Sequence, residues 1–239
     1  MVYTGTSGFN YPEWKGRFYP ADLPAAKMLP FYAGRLPTVE INYTFYRMPT
    51  AALVAGWADQ VGERFRFTLK APKRITHDRR LREPAALVPG FVEVAASLGP
   101  RLGCLLFQLP PNLKCDTALF DEFLATLPPR VSAAFEFRHA SWLDDAVYQR
   151  LADRNLALCL ADTAEREAPW VVTADYGYLR LRDEGYTERD LQSWAARVAA
   201  ESGWREAFVY FKHEDEGKGP EFAERFIASL PPGAAAPTA

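Results

Sequence analysis

The sequence predicts an α/β fold, a single TIM-like (β/α) barrel of eight parallel strands. Three observations carry that expectation. Strand-like runs alternate with helical patterns along the chain, and such alternation specifies a parallel sheet. Eight strand units fit within 239 residues, close to the ~250 typical of a closed β/α barrel. Most strands also carry apolar residues on one face and polar ones on the other near their ends, as expected where a site sits at one end of a barrel. A doubly wound open sheet is the runner-up.

Taken in order, strands are expected at Val2–Ser7, Thr38–Tyr43, Phe65–Lys70, Gly103–Leu109, Ala133–Arg138, Ala157–Asp162, Gly177–Arg182 and Ala207–Lys212. Helices are expected within Pro24–Arg35, Thr50–Val61, Pro84–Leu98, Thr117–Leu127, Asp144–Arg154, Thr187–Ser202 and Pro220–Leu230. Thr50 and Thr187 are suitable N-caps, and Asp190, three residues after Thr187, completes a capping box. The segment Thr163–Ala174 between the sixth and seventh strands is short, with room for one helical turn. Residues 1–230 thus form one barrel domain. The Pro-, Gly- and Ala-rich tail, residues 231–239, is expected to be disordered.

The bulk properties exclude several function classes. Apolar content of 49% and charged content of 24% are ordinary for a globular protein. A net charge of -2 gives no global basic footprint for nucleic acid or lipid. No apolar run is long enough to span a bilayer, and the N-terminal residues lack a secretory signal's features, so no membrane association and a cytoplasmic location are expected. Cys104, Cys115 and Cys159 form no Cys-x-x-Cys pair, which argues against a cysteine zinc site. Cys104 and Cys159 read as core residues.

The fifth strand, Ala133–Arg138, is the most informative. Alternation puts Phe135 and Phe137 on one face and Glu136 and Arg138 on the other. A carboxylate and a guanidinium on a buried face must be paired, or belong to a site. With the apolar parity taken as outward, the inward set is Glu40, Asn42, Arg66, Thr68, Lys70, Gln108, Glu136, Arg138, Asp162, Arg180, Arg182 and Lys212. Arg66 sits early in its strand and belongs to the far end; Arg182 reaches toward the rim. Cations exceed acids in this set, which suits an anionic substrate, most simply a phosphate. The competing reading is a structural core of salt bridges.

The motifs also carry a resemblance. Gly5-Thr6-Ser7-Gly8, Val39-Glu40-Ile41-Asn42 with Thr44-Phe45-Tyr46, Lys70-Ala71-Pro72 with Ile75-Thr76-His77, Gln108-Leu109-Pro110-Pro111, and Glu136-Phe137-Arg138-His139 with Ser141-Trp142 together resemble the YecE-like family, domain of unknown function 72. The resemblance runs through nearly the whole chain and implies a TIM-like barrel. It implies no activity. Two stretches depart from the family pattern: Arg180-Leu181-Arg182-Asp183 where relatives have Arg-x-His-Gly, and Phe211-Lys212-His213-Glu214 where Phe-Asn-Asn is common.

The chemistry expected at the mouth follows. Glu136 is the candidate acid/base, with Glu40 and Asp162 orienting groups or holding a metal. Lys70, Arg138, Arg180 and Lys212, with Asn42, Gln108, Tyr46, Trp142 and His139, are candidates for substrate binding. His77, His139 and His213 each follow a strand end, and with the acids would suffice for one or two divalent metals, although their spacing is no recognised metal motif. The ordinary reading of each histidine is a loop cap or a partner to a nearby acid. No Walker A motif and no Gly-x-Gly-x-x-Gly fingerprint is present, so no nucleotide cofactor is expected. The leading expectation is an enzyme acting on a phosphate-bearing substrate, a sugar phosphate or a single-stranded nucleic acid. Two glutamates and abundant aromatics keep open a metal-free glycoside hydrolase, and the basic segment Lys70–Arg80 keeps open a non-catalytic binding module. The sequence sets no oligomeric state.

Overall fold

Eight short strands can close on themselves only where the inward side chains fill the enclosed space, and here they do so in layers. The structure is a computed structural model that describes residues 1–163, 166–167, 169–213 and 217–238. The strands are β1 (Val2–Ser7), β2 (Thr38–Ile41), β3 (Arg66–Lys70), β4 (Leu102–Gln108), β5 (Ala133–Glu136), β6 (Ala157–Thr163), β7 (Arg166–Glu167), β8 (Tyr176–Leu181) and β9 (Glu206–Phe211). All pairings are parallel except β6–β7. The β5–β6 pairing closes the ring, so the sheet is a barrel and not the open doubly wound alternative. The two-residue β7 pairs antiparallel with the end of β6. Part of the turn expected within Thr163–Ala174 falls outside the described residues, as does Glu214.

The helices are α1 (Met28–Ala33), α2 (Tyr43–Tyr46), α3 (Ala51–Ala58), α4 (Val88–Ala96), α5 (Thr117–Ala125), α6 (Asp145–Ala152), α7 (Glu188–Ala200) and α8 (Lys218–Ser229). Thr50 caps α3 by accepting from the Leu53 N–H, and Thr187 with Asp190 forms the capping box of α7. Asp116 and Asp144 cap α5 and α6 in the same way. The helix α2 follows β2 at once and was not foreseen. Its Thr44 hydroxyl donates to the carbonyls of Ile41 and Lys70, at 3.0 and 2.6 Å, which ties the turn to β3.

Two separate apolar cores result. The larger lies between strands and helices and holds Val39, Ile41, Phe67, Leu69, Phe107, Phe135, Leu179 and Phe211. The smaller fills the lower barrel with Tyr3, Cys104, Leu106, Ala134, Cys159, Tyr176, Tyr178, Phe208 and Tyr210. Gly5 belongs to the inner lining, where a Cβ would collide with the Thr38 carbonyl. Above the aromatic floor comes a hydroxyl layer: Tyr210 meets Thr38 and Thr68, each at 2.8 Å. Charged residues lie above that. The barrel is therefore graded from apolar at its base to ionic at its mouth.

The tail departs from expectation. The Val2 N–H donates to the Ala234 carbonyl and the Ala236 N–H to the Val2 carbonyl, at 2.8 and 2.9 Å. Ala236 is buried against the inner core. Small residues with free backbone groups can cap the base of the barrel, which a composition-based reading of disorder overlooks.

Candidate functional site

The ionic layer is organised by one arginine. Arg180, on β8, is fully buried. Its Nη2 donates to Glu40 Oε1 on β2 at 2.7 Å and its Nη1 to Glu136 Oε2 on β5 at 2.6 Å. The remaining acceptor capacity of each carboxylate is also used. Glu40 accepts from Ser7 Oγ at 2.7 Å and from the Tyr178 hydroxyl at 2.6 Å. Glu136 accepts from Gln108 Nε2 at 2.9 Å, Arg182 Nη2 at 2.7 Å and Arg138 Nε at 3.1 Å. Charges taken out of water are tolerable only with such pairing; among the described residues the Arg180 and Arg182 Nε atoms are the buried donors of this network that lack an acceptor.

This pairing sets the protonation states. Burial pushes the Glu136 carboxyl up, but Arg180, then Arg182 and Arg138, outweigh it and hold the group well below the usual carboxylate range. Burial likewise pushes Glu40 up, and Arg180 with the Tyr178 and Ser7 hydroxyls brings it below its ordinary value. A carboxylate held so firmly has no proton to give at neutral pH and is a weak base. Glu40 pairs with Arg180, and Glu136 with Arg180, Arg182 and Arg138, an arrangement that weighs against the acid/base role expected of Glu136. Both nevertheless stand at the mouth, as the strand parity required.

Lys70, at the end of β3, is different. It is 9% exposed. Among the described residues its Nζ makes no hydrogen bond or ion pair; its close neighbour is the Phe45 ring, 4.1 Å from Nζ to the centroid. Burial, then the nearby Arg180, pulls its pKa down to about 8, with Glu40 and Glu136 opposing. Its backbone is fixed on both sides, by Thr44 and by the Ala71 N–H to the Leu106 carbonyl.

Lys70 lines a cavity of about 560 Å³. Six aromatic residues, Phe9, Tyr11, Tyr43, Phe45, Tyr46 and Trp57, contribute to the walls, with Lys212 on the β9 side. Asn42 also lines it, and its Oδ1 is buried without a donor among the described residues. Tyr46 is 75% exposed at the rim. This is a concave site of mixed aromatic and polar lining, a form that ligand sites commonly take.

Several candidates lie elsewhere. Asp162 has the outward parity: its neighbours Cys159 and Ala161 register with Tyr178 and Arg180, so Asp162 aligns with Leu181. It accepts from the Tyr186 hydroxyl, away from the two glutamates. Trp142 is a core residue, stacked on Phe137 at 4.8 Å and donating from Nε1 to the Leu113 carbonyl. His139 accepts from the Ser141 N–H as a half-buried cap. His213 is buried and donates from Nε2 to the Asp183 carbonyl. His77 meets Thr76 Oγ1 and the edge of Phe45. The three histidines thus have separate local partners. Among the described residues no three His, Cys, Asp or Glu side chains group to hold a metal ion. As expected, Arg66 belongs to the lower end, bonding the Glu63 and Phe65 carbonyls.

Ser7, Tyr178 and Trp57 join the site without a signal in the sequence reading for these roles. Tyr178 was within reach, since it shares the parity of Arg180 two residues on. Trp57 comes from helix α3 and carries no strand-end signal.

Comparison with known proteins adds the lineage. The family profile described as "Protein of unknown function DUF72" matches residues 3–238. The UPF0759 protein YecE of Escherichia coli K12 is 29% identical over 157 residues, covering 65% of this chain and 55% of that protein. UPF0759 protein YunF of Bacillus subtilis 168 is 27% identical over 158 residues, covering 63% and 55%. The match thus spans about half the length of these relatives. Among solved structures, a DUF72 family protein from Enterococcus faecalis V583 superposes with a TM-score of 0.79 at 20% identity, covering 96% of this chain and 95% of that one. Another, from Thermotoga maritima MSB8, gives 0.71 at 25% identity, covering 95% and 97%.

Proposed function

The chain belongs to the DUF72 family of proteins of unknown function, and from its own barrel mouth we propose that it is an enzyme whose site takes a small phosphate-bearing molecule. One observation carries this reading. The two buried carboxylates already accept from arginines, hydroxyls and the Gln108 amide, while among the described residues the Lys70 ammonium, lining the cavity, makes no hydrogen bond or ion pair. The charge left to offer a ligand is therefore positive. Lys212 lines the same cavity, and Arg138, 37% exposed at its side chain and two residues past the end of β5, is close enough to act on Lys70. The aromatic walls suit a ring or a sugar face next to the phosphate.

The glycoside hydrolase reading fares worse on the same geometry. It needs one carboxyl that keeps its proton at working pH, and both Glu40 and Glu136 are held ionised. No helix of the described residues is long and apolar enough to cross a membrane.

The test is thermal stabilisation by inorganic phosphate, sugar phosphates, short single-stranded DNA and neutral oligosaccharides. A ligand that binds only the folded protein raises the melting temperature. Phosphorylated small molecules should stabilise the protein, with the effect lost in Lys70→Met and reduced by salt. Stabilisation by neutral sugars alone would overturn the reading, and stabilisation by DNA alone would replace the small molecule with a strand.

A further inference from the structure

We propose that Lys70 is a nucleophile whose amine condenses with the carbonyl carbon of a phosphorylated aldehyde or ketone bound in the barrel-mouth cavity, forming an imine. This rests on reading the mouth as a phosphate site and names the reactive group of its substrate. A lysine kept only to hold an anion does best fully charged and exposed. Lys70 is instead buried, against a ring, on a strand end whose backbone is clamped from two sides. Lysines become nucleophilic when desolvated or set beside other cations, and Arg180 and Arg138 both act on this one. With a pKa of about 8, roughly a quarter of Lys70 is the free amine at pH 7.5, against about a thousandth for an ordinary lysine.

Among the described residues no other amine or thiol is both buried and in the cavity wall. Cys104 and Cys159 are buried in the inner core, where burial pushes both thiols up. Lys212 lines the cavity but is exposed.

The step balances without a co-reactant. Lys70 first gives one proton to water. The Nζ lone pair forms a bond to the carbonyl carbon, and the carbonyl π pair moves to oxygen, which takes up a proton. The nitrogen of this adduct loses a proton to water. The hydroxyl then takes a proton and leaves as water, while the nitrogen lone pair forms the C=N bond. The sum is ammonium plus carbonyl going to iminium plus water, so the charge at Nζ is kept and still faces the saturated carboxylates. Asn42 Oδ1, buried in the same wall without a donor among the described residues, supplies an acceptor for a substrate hydroxyl.

The probe is pyridoxal 5′-phosphate, which joins a ring, a phosphate and an aldehyde. The full chain is incubated with it, reduced with borohydride and peptide-mapped. Pyridoxine 5′-phosphate, the alcohol with no carbonyl, serves as competitor and as a thermal-shift ligand. The reduced adduct should sit on Lys70 and not on Lys15, Lys27, Lys73, Lys114, Lys212 or Lys218, with a trapping rate that rises through pH 8. Lys70→Arg should remove the adduct while keeping the thermal shift with the alcohol. Labelling spread over exposed lysines with Lys70 unmodified overturns the proposal. If the alcohol still stabilises the protein in that case, the phosphate site stands without the imine. An adduct on Lys70 that neither the alcohol nor phosphate suppresses would keep the imine and discard the phosphate site. Neither binding nor a Lys70 adduct would remove both.

Discussion

Arg180 Nη2 stands 2.7 Å from Glu40 Oε1, and neither side chain is more than 1% exposed. The same guanidinium reaches Glu136 on the opposite side of the mouth, so one cation spans the barrel and holds two carboxylates in place.

Removing that cation strands both anions. Breaking a buried pair by deleting one partner typically costs about 3–5 kcal/mol, and Arg180→Leu is expected to fall in that range or to prevent folding. Arg180→Lys should recover only part of the loss, because an ammonium cannot reproduce the forked geometry. Urea unfolding at neutral pH measures both. A loss within about 0.5 kcal/mol, typical of a surface substitution, would mean that the network contributes little.

The carboxylates set an acid limit. Glu40 and Glu136 have folded-state pKa values below their unfolded ones. Their contribution is present above the ordinary carboxylate range, roughly pH 4–5, and is lost as pH falls toward the folded-state values. Urea midpoints followed downward from pH 7 should drop below that range, and Glu40→Gln should flatten the slope. Identical slopes for wild type and variant would refute the assignment.

Lys70 works in the opposite sense. Its folded pKa of about 8 lies below the ordinary 10.5, so the folded state is penalised for holding the charge below pH 8. The penalty fades as pH rises from 8 to 10.5, because there the unfolded chain binds more protons. Lys70→Met should therefore stabilise the protein by about 1–3 kcal/mol at pH 7, with the gain shrinking above pH 8, while ligand stabilisation disappears. Calorimetry at pH 7 and pH 10 makes the comparison. A destabilised variant at pH 7 would show the amine to be a structural group.

Trp142 should affect stability alone. Trp142→Ala removes a ring stacked on Phe137 and edge-on to Phe120, and such a deletion costs about 3–5 kcal/mol. Any phosphate-ligand shift measured for wild type should persist in the milder Trp142→Phe. Its loss would return Trp142 to the binding residues.

Strand parity made much of this site legible, and its failures have physical causes. Glu40, Lys70, Gln108, Glu136 and Arg180 were placed inward because their neighbours Val39, Ile41, Leu69, Phe135 and Leu179 are bulky and apolar. Asp162 was misplaced because β6 reverses the sizes. Its inward residues, Ala157, Cys159 and Ala161, are small where the ring is crowded by Tyr176, Tyr178 and Tyr210, and apolar residues on both faces leave parity undetermined. Trp142 and Tyr46 both follow strands, yet one is buried and the other 75% exposed; sequence does not tell an aromatic under a loop from one at a rim. That Glu136 is saturated and Lys70 is not depends on which strands become neighbours across the barrel, which no single strand records.

One connection at the rim has an optical consequence. The Tyr11 hydroxyl donates to the Ser7 carbonyl at 2.8 Å, and Ser7 Oγ donates to Glu40. Tyr11 lines the cavity on one side, and its ring centroid lies 4.8 Å from that of the buried Trp14 on the other. Whatever occupies the cavity and shifts Tyr11 alters the packing of an indole shielded from solvent. The protein thus carries its own fluorophore for occupancy: an emission change on filling of the mouth that survives replacement of the cavity-lining Trp57 by Phe, and is lost in Trp14→Phe, reports occupancy without an external label, the other four tryptophans giving a constant background.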